Sequence, residues 1–198
     1  MTDLIARLSD ARLLAILRMD DPDTAGVELA RRLHEQGVRA IECTLDKAGA
    51  LTAIERIRGE LGDETLVGAG TVTRLDQVDS LVALGVDFCV TPHLDPDLVS
   101  HALDRGLAIV PGVMTPSEVA EAFRLGAPAV KLFPAGVLGI PYLKALQGPF
   151  GEFPVVPTGS IEIDEVEGWL EAGAIAVGLG SAITKPKTIP PELVRLLR

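Results

Sequence analysis

Two rhythms of apolar and polar positions alternate along this chain. Short β-rich runs follow glycines at positions 37, 62, 85, 106, 126, 151 and 173: VRAIEC, DETLVGAG, VDFCVTP, LAIVPG, APAVKLFP, EFPVVPTG and AIAVGLG. The glycines are spaced 25, 23, 21, 20, 25 and 22 residues apart. Leu13 to Leu17 forms a further run ahead of them, which makes eight. The intervening segments follow the 3.6-residue period of a helix with one apolar face. Ala25, Leu29, Ala30 and Leu33 share a face in Thr24–Gln36, and Leu75, Val78, Leu81 and Val82 share one in Leu75–Leu84. Val119, Ala122 and Phe123 do the same in Ser117–Leu125. Each repeat glycine falls where a helix should end, in the left-handed conformation that glycine tolerates.

Strand and helix alternating eight times implies parallel strands covered by helices. Eight units predict closure into a compact (β/α)₈ TIM barrel, a single domain over residues 1–198. The rival is an open doubly wound sheet, whose first turn would carry G-x-G-x-x-G. Here the first turn reads LRMDDPD, without glycine.

Composition narrows the function classes. The net charge is −10 with no basic cluster, which argues against nucleic-acid binding. The uncharged stretch Ala172–Thr184 has 13 residues, short of the roughly 20 that a spanning helix needs. The N-terminus, MTDLIARLSDAR, lacks the basic start and continuous apolar core of a signal peptide. A cytoplasmic protein without membrane segments is expected. Cys43 and Cys89 each sit in an apolar run and read as buried free thiols. No C-x-x-C pair exists, and His34, His93 and His101 are scattered, so no metal site is expected.

In such barrels the reactive groups sit at the C-terminal strand ends. Those ends carry Arg18, Glu42 with Thr44, Gly68-x-Gly70-Thr71, Thr91-Pro92-His93, Pro111-Gly112, Lys131, Thr158-Gly159-Ser160 and Gly178-x-Gly180-Ser181. Glu42 and Lys131 differ from the rest because they lie within runs. Strand alternation puts Ala40, Glu42 and Thr44 on one face, and Ala129, Lys131 and Phe133 on another. The opposite faces, Ile41 with Cys43 and Val130 with Leu132, suit packing under helices. Glu42 and Lys131 should therefore both face the barrel interior near its top.

Two readings of that pair are open. One is a buried ion pair, which says little about stability because desolvation can cost as much as the attraction returns. The other is chemistry. Burial disfavours an ammonium, and a neutral amine can attack a ketone to form a Schiff base while a carboxylate moves protons. The glycine-rich ends PTGSI and VGLGSA are either tight turns or a phosphate site, with Ser160 and Ser181 as added donors. Arg18 is either a solvated surface residue or a bidentate holder of a carboxylate or phosphate. GAGTV is a plain turn, or it offers Thr71 to a carboxylate. His93 reads as a rim residue.

The ordered set AILR, GVRAIECTL, LVGAGTV, VTPHLD, PGVMTPSEV, VKLFPAG, KALQGPF and VPTGSI resembles the 2-keto-3-deoxy-6-phosphogluconate (KDPG) and 4-hydroxy-2-oxoglutarate (KHG) aldolases. The resemblance also takes in the 2-keto-3-deoxy-6-phosphogalactonate aldolases and covers nearly the whole length. It implies a class I aldolase that needs no cofactor or metal and works as a homotrimer. Lys131 matches the Schiff-base lysine and Glu42 the general acid/base. Thr71 matches the threonine that contacts the pyruvyl carboxylate, and Gly159, Ser160, Gly180 and Ser181 match the phosphate region. Pro92 and Phe133 are placed with the substrate-binding residues. The implied substrates are pyruvate and a phosphorylated keto acid, and the implied reaction is cleavage of KDPG to pyruvate and D-glyceraldehyde 3-phosphate. The alternatives are cleavage of 4-hydroxy-2-oxoglutarate or of the galactonate, or a barrel that only binds a phosphorylated metabolite.

Two departures stand out. Many members read E-x-T-L-R-T after the second strand, whereas here the sequence is ECTLDK, with Asp46 in the arginine's place. Members with AILR supply an arginine from the first strand, so Arg18 is the expected replacement, ahead of Lys47. The second departure is TGS where the family usually has TGG, with Ser160 as the newcomer.

Overall fold

The computed structural model describes residues 2–185 together with Pro190 and Leu193. Among these residues nine strands form: β1 (Leu13–Leu17), β2 (Ala40–Thr44), β3 (Leu66–Gly70), β4 (Phe88–Val90), β5 (Ala108–Val110), β6 (Gly112–Val113), β7 (Val130–Leu132), β8 (Val155–Pro157) and β9 (Val177–Leu179). The helices are α1 (Thr2–Ala11), α2 (Val27–Glu35), α3 (Ala50–Leu61), α4 (Leu75–Leu84), α5 (Pro96–Asp104), α6 (Pro116–Arg124), α7 (Ala135–Leu138), α8 (Ile140–Phe150), α9 (Val166–Glu171) and α10 (Ser181–Thr184).

All strand pairs are parallel. They run as two arcs, β5-β4-β3-β2-β1-β9 and β6-β7-β8. The arcs join at both ends. Thr158 bridges Gly178 in parallel, and the Ile175 N–H donates to the Val155 carbonyl at 3.0 Å. At the other junction the chain passes directly from β5 to β6 through Pro111. The result is a (β/α)₈ barrel in which one of the eight strand positions is split. The fifth run was expected as a single strand. Pro111 has no N–H to give to a ladder, so β5 pairs with β4 while β6 pairs with β7.

The repeat glycines behave as the sequence implies. Gly37, Gly62, Gly85, Gly106, Gly126, Gly151 and Gly173 all have positive φ, each ending a helix or helical turn before the next strand. The helix starts are capped by side chains. Asp95 accepts from the N–H groups of Asp97 and Leu98 at the head of α5, and Thr115 and Glu118 form a capping box on α6. The expected helix Thr24–Gln36 is shorter than its pattern. Pro22–Gly26 forms a π-turn held by Asp21, and α2 begins only at Val27. Ala25 is consequently exposed, and Val27 joins Leu29, Ala30 and Leu33 in the core. Leu75 is also exposed at the start of α4, while Val78 and Leu81 are buried.

The alternation along the strands divides the core into two layers. Outward residues such as Leu13, Ala15, Leu17, Ile41, Cys43, Val130 and Leu132 pack under the helices. Inward residues from around the ring, among them Leu14, Ala40, Leu66, Phe88, Val110, Ala129 and Val156, fill the barrel. Phe88 fits because its neighbour Gly68 has no side chain, since a Cβ there would lie 2.5 Å from the ring. Leu4, Leu8 and Ala11 of α1 belong to the same inner cluster, so this helix stops the N-terminal end of the barrel. Cys43 and Cys89 are buried free thiols, and desolvation pushes both up to about 12, which leaves them inert. Among the described residues no helix is long and apolar enough to cross a membrane.

Candidate active site

With the lower end stopped, the open end holds a cavity of about 510 Å³ at the C-terminal ends of the strands. Eight of the ten residues expected at the site line it: Arg18, Glu42, Lys131, Phe133, Gly159, Ser160, Gly180 and Ser181. Thr71 and Pro92 do not. Thr71 reaches the site through Arg18, whose Nη2 donates to the Thr71 hydroxyl at 2.9 Å. Pro92 is half-buried and backs onto Gly112, where an added Cβ would meet the Pro92 carbonyl at 2.5 Å. Close packing of two chain segments explains that position without substrate.

Glu42 sits mid-strand in β2, opposite Ile16 on one side and Gly68 on the other. It is 1% exposed. The room for its carboxyl comes from Gly70, because a Cβ at that position would lie 1.6 Å from Glu42 Oε1. Any side chain at position 70 would displace the acid. Glu42 Oε2 is buried without a hydrogen-bond partner among the described residues. Burial pushes the Glu42 carboxyl above the usual range, and the positive charges of Lys131 and Arg18 offset only part of that rise.

Lys131 lies at the centre of β7, with Gly112 and Val156 as its neighbours across the sheet. It is 7% exposed, and its Nζ stands 5.0 Å from the centre of the Phe133 ring. Among the described residues it has neither an ion pair within 4.0 Å nor a side-chain hydrogen bond. The ion-pair reading of Glu42 and Lys131 is therefore not what the structure shows. The two share a cavity and feel each other's charge, but neither neutralises the other in direct contact.

The turn after β1 and the turn after β2 are tied by two charge pairs. Arg18 Nε lies 3.9 Å from Asp46, and Lys47 Nζ lies 2.6 Å from Asp20. Asp46, where an arginine was expected, thus faces the arginine that β1 supplies. Lys47 is turned to Asp20. On the far side of the mouth, Gly159 has φ +95° and Ser160 φ +56°. Ser160 adopts the left-handed conformation that the commoner glycine would take without strain. Met19, Asp20, Ile161, Thr184 and Lys185 also line the cavity and were not anticipated from the sequence. For Lys185 a signal existed, since it lies four residues beyond Ser181 in a helical turn. Among the described residues no cluster of His, Cys, Asp or Glu is arranged to hold a metal ion.

A buried lysine and a buried carboxyl, unpaired among the described residues and facing one cavity in a barrel mouth, are the equipment of a Schiff-base lyase. The family model for KDPG and KHG aldolases matches residues 4–195. The chain belongs to that aldolase family and is a carbon–carbon lyase. A 2-dehydro-3-deoxy-phosphogluconate aldolase of Haemophilus influenzae is 32% identical over 200 residues, 98% of this chain and 93% of the relative. A 2-dehydro-3-deoxy-6-phosphogalactonate aldolase of Escherichia coli is 34% identical over 170 residues, 85% of this chain and 82% of the relative. Among solved structures, a KDPG aldolase from Legionella pneumophila, with pyruvate captured as a covalent carbinolamine, superposes with a TM-score of 0.80 at 29% identity. The superposition covers 97% of this chain and 91% of that one.

Proposed function

We propose that this chain reversibly cleaves 2-keto-3-deoxy-6-phosphogluconate to pyruvate and D-glyceraldehyde 3-phosphate through a Schiff base on Lys131. The observation that carries the reading is the presence of two buried groups in one cavity: an amine with no carboxylate in contact among the described residues, and a carboxyl whose own proton affinity is raised. The neutral amine of Lys131 attacks the C2 ketone and gives a carbinolamine. Glu42 donates the proton with which the C2 oxygen leaves as water, and an iminium results. The carboxylate so formed takes the proton of the C4 hydroxyl. The C3–C4 bond then breaks, its electron pair moves into the iminium to give an enamine, and the C4 oxygen becomes the aldehyde of glyceraldehyde 3-phosphate. Return of the proton to C3 restores an iminium. Addition of water releases pyruvate and the free amine, and the proton set free returns to the Glu42 carboxylate. A group that gives and takes protons in turn works best with a proton affinity near the operating pH, the direction in which burial moves Glu42.

Arg18 and Thr71 hold the substrate carboxylate in this reading, and their 2.9 Å hydrogen bond orients them together. Gly159, Ser160, Gly180 and Ser181 supply backbone and hydroxyl donors for the phosphate, and Phe133 flanks the reacting amine. We place the enzyme in the cytoplasm as a homotrimer, in line with its family resemblance. The test is release of pyruvate from KDPG, followed continuously, at a rate that a metal chelator leaves unchanged. A kcat/KM for 4-hydroxy-2-oxoglutarate equal to or above that for KDPG would transfer the reading to the shorter, unphosphorylated substrate. The same comparison with the galactonate epimer assigns the preferred C4 configuration.

A further inference from the structure

Among the described residues, five charged side chains line the cavity: Arg18, Asp20, Glu42, Lys131 and Lys185. Four already have an employment. Lys131 meets the ketone. Glu42 is buried with its proton held tightly. Asp20 accepts from Lys47 at 2.6 Å. Arg18 is turned to Thr71 and Asp46, on the side where the carboxylate is held.

Lys185 is seated by the short helix α10. Its N–H donates to the Ser181 carbonyl at 3.2 Å, and its backbone is helical, at φ −78° and ψ −39°. The preceding Thr184 hydroxyl donates to the Gly180 carbonyl at 3.1 Å. Residues four apart on a helix lie on one face, so Ser181 and Lys185 look the same way, and both line the cavity. Ile183, between them, is 2% exposed and anchors the turn in the core. Among the described residues, the loops after β8 and β9 therefore present uncharged donors at Ser160 and Ser181, and the exposed Lys185 lines the same cavity. A phosphate monoester carries roughly −1.5 to −2 at neutral pH. Hydroxyls and amides can bind it but leave that charge uncompensated.

We infer that Lys185 is the cation that recognises the substrate's phosphate and makes this cavity prefer phosphorylated over unphosphorylated keto acids. The inference rests on the aldolase reading of the same site. It adds a residue that determines specificity and takes no part in bond making.

The test compares wild type with Lys185→Ala, Lys185→Arg and Lys185→Glu on KDPG and on 4-hydroxy-2-oxoglutarate, with inorganic phosphate as a competitor. A charge-assisted hydrogen bond gives roughly a tenfold rise in KM for KDPG in Lys185→Ala, with kcat within about twofold. Lys185→Arg should stay within about threefold of wild type, and Lys185→Glu should be weaker than the alanine variant by about another tenfold. The kcat/KM for the unphosphorylated substrate and the trapping of pyruvate by borohydride should not change. Inhibition by inorganic phosphate should weaken in parallel with the rise in KM. A KM for KDPG within twofold of wild type in Lys185→Ala overturns the inference. So does an equal loss on both substrates, which would assign Lys185 to the integrity of the loop. Failure of wild type to trap pyruvate is a different result: it sinks the aldolase reading itself, and the phosphate competition for Lys185 can still be scored by calorimetry.

Discussion

The two ends of the barrel are made from the same strand faces and have opposite characters. At the N-terminal end, inward-facing Ala40 and Ala129 belong to an apolar cluster that α1 stops with Leu4, Leu8 and Ala11. Two residues further along the same faces stand Glu42 and Lys131, equally enclosed but polar. Burial that stabilises at one end is destabilising at the other, because it takes ionisable groups from water without giving them direct partners among the described residues. The barrel thus uses apolar packing at its base and holds a carboxyl and an amine together in one enclosed cavity at its mouth.

Removing the amine should break the comparison most severely. In Lys131→Ala no imine can form, and turnover should fall by on the order of 10⁴-fold or more in steady-state assays. The packing at the base should keep the fold cooperative by circular dichroism. Glu42→Gln keeps the shape of the acid and removes its proton traffic, with an expected loss of about 10²–10⁴-fold in kcat. The same variant sharpens the argument about burial. Glu42 binds its proton more tightly in the folded than in the unfolded chain. Between its ordinary and its raised pKa the folded state holds more protons, so wild-type stability falls as pH rises through that window. Denaturant titrations should find wild type and Glu42→Gln alike below the ordinary carboxyl range. The variant should become progressively the more stable at higher pH. A difference that grew on acidification would contradict the sign.

At the base, Leu8→Ala should cost about 2–5 kcal/mol in urea unfolding, since Leu8 is fully buried in the inner cluster. The chemistry at the mouth should survive wherever the protein remains folded. The smallest effect is expected at Ser160. Its left-handed backbone is strained for any residue with a Cβ. Glycine relieves that strain but adds freedom to the unfolded chain. Ser160→Gly should therefore stabilise by about 0.5 kcal/mol, read as a small rise in the unfolding midpoint.

The glycine-punctuated repeat made the barrel legible because one local rule, a helix or helical turn ended by a positive-φ glycine before a strand, recurs ahead of seven of the eight strand positions, Arg12 standing before β1. Alternation then oriented Glu42 and Lys131 correctly, since a strand offers only two faces. What the sequence did not reveal depends on contacts between distant segments. Leu4, Leu8 and Ala11 act as a stopper only once the ring they cover has closed. Pro111 splits a strand because it has no N–H for the ladder, which shows only once β5 is paired with β4 and β6 with β7. Gly70 reads as part of a turn motif, whereas its use is to leave space for a carboxyl on the adjacent strand. Pro92 was grouped with the binding residues by its place at a strand end, and it turns out to pack on Gly112 outside the cavity lining. Asp46 was conspicuous as a departure, but its pairing with Arg18 needed the two turns side by side.

The account stands on Lys131 as the nucleophile in the cavity. Incubation with pyruvate and borohydride, followed by peptide mass mapping, tests it directly. One reduced pyruvyl adduct on the peptide carrying Lys131, absent from the Lys131→Ala protein, is the result expected. No adduct in the wild-type protein, or an adduct on another lysine that persists in Lys131→Ala, would contradict it.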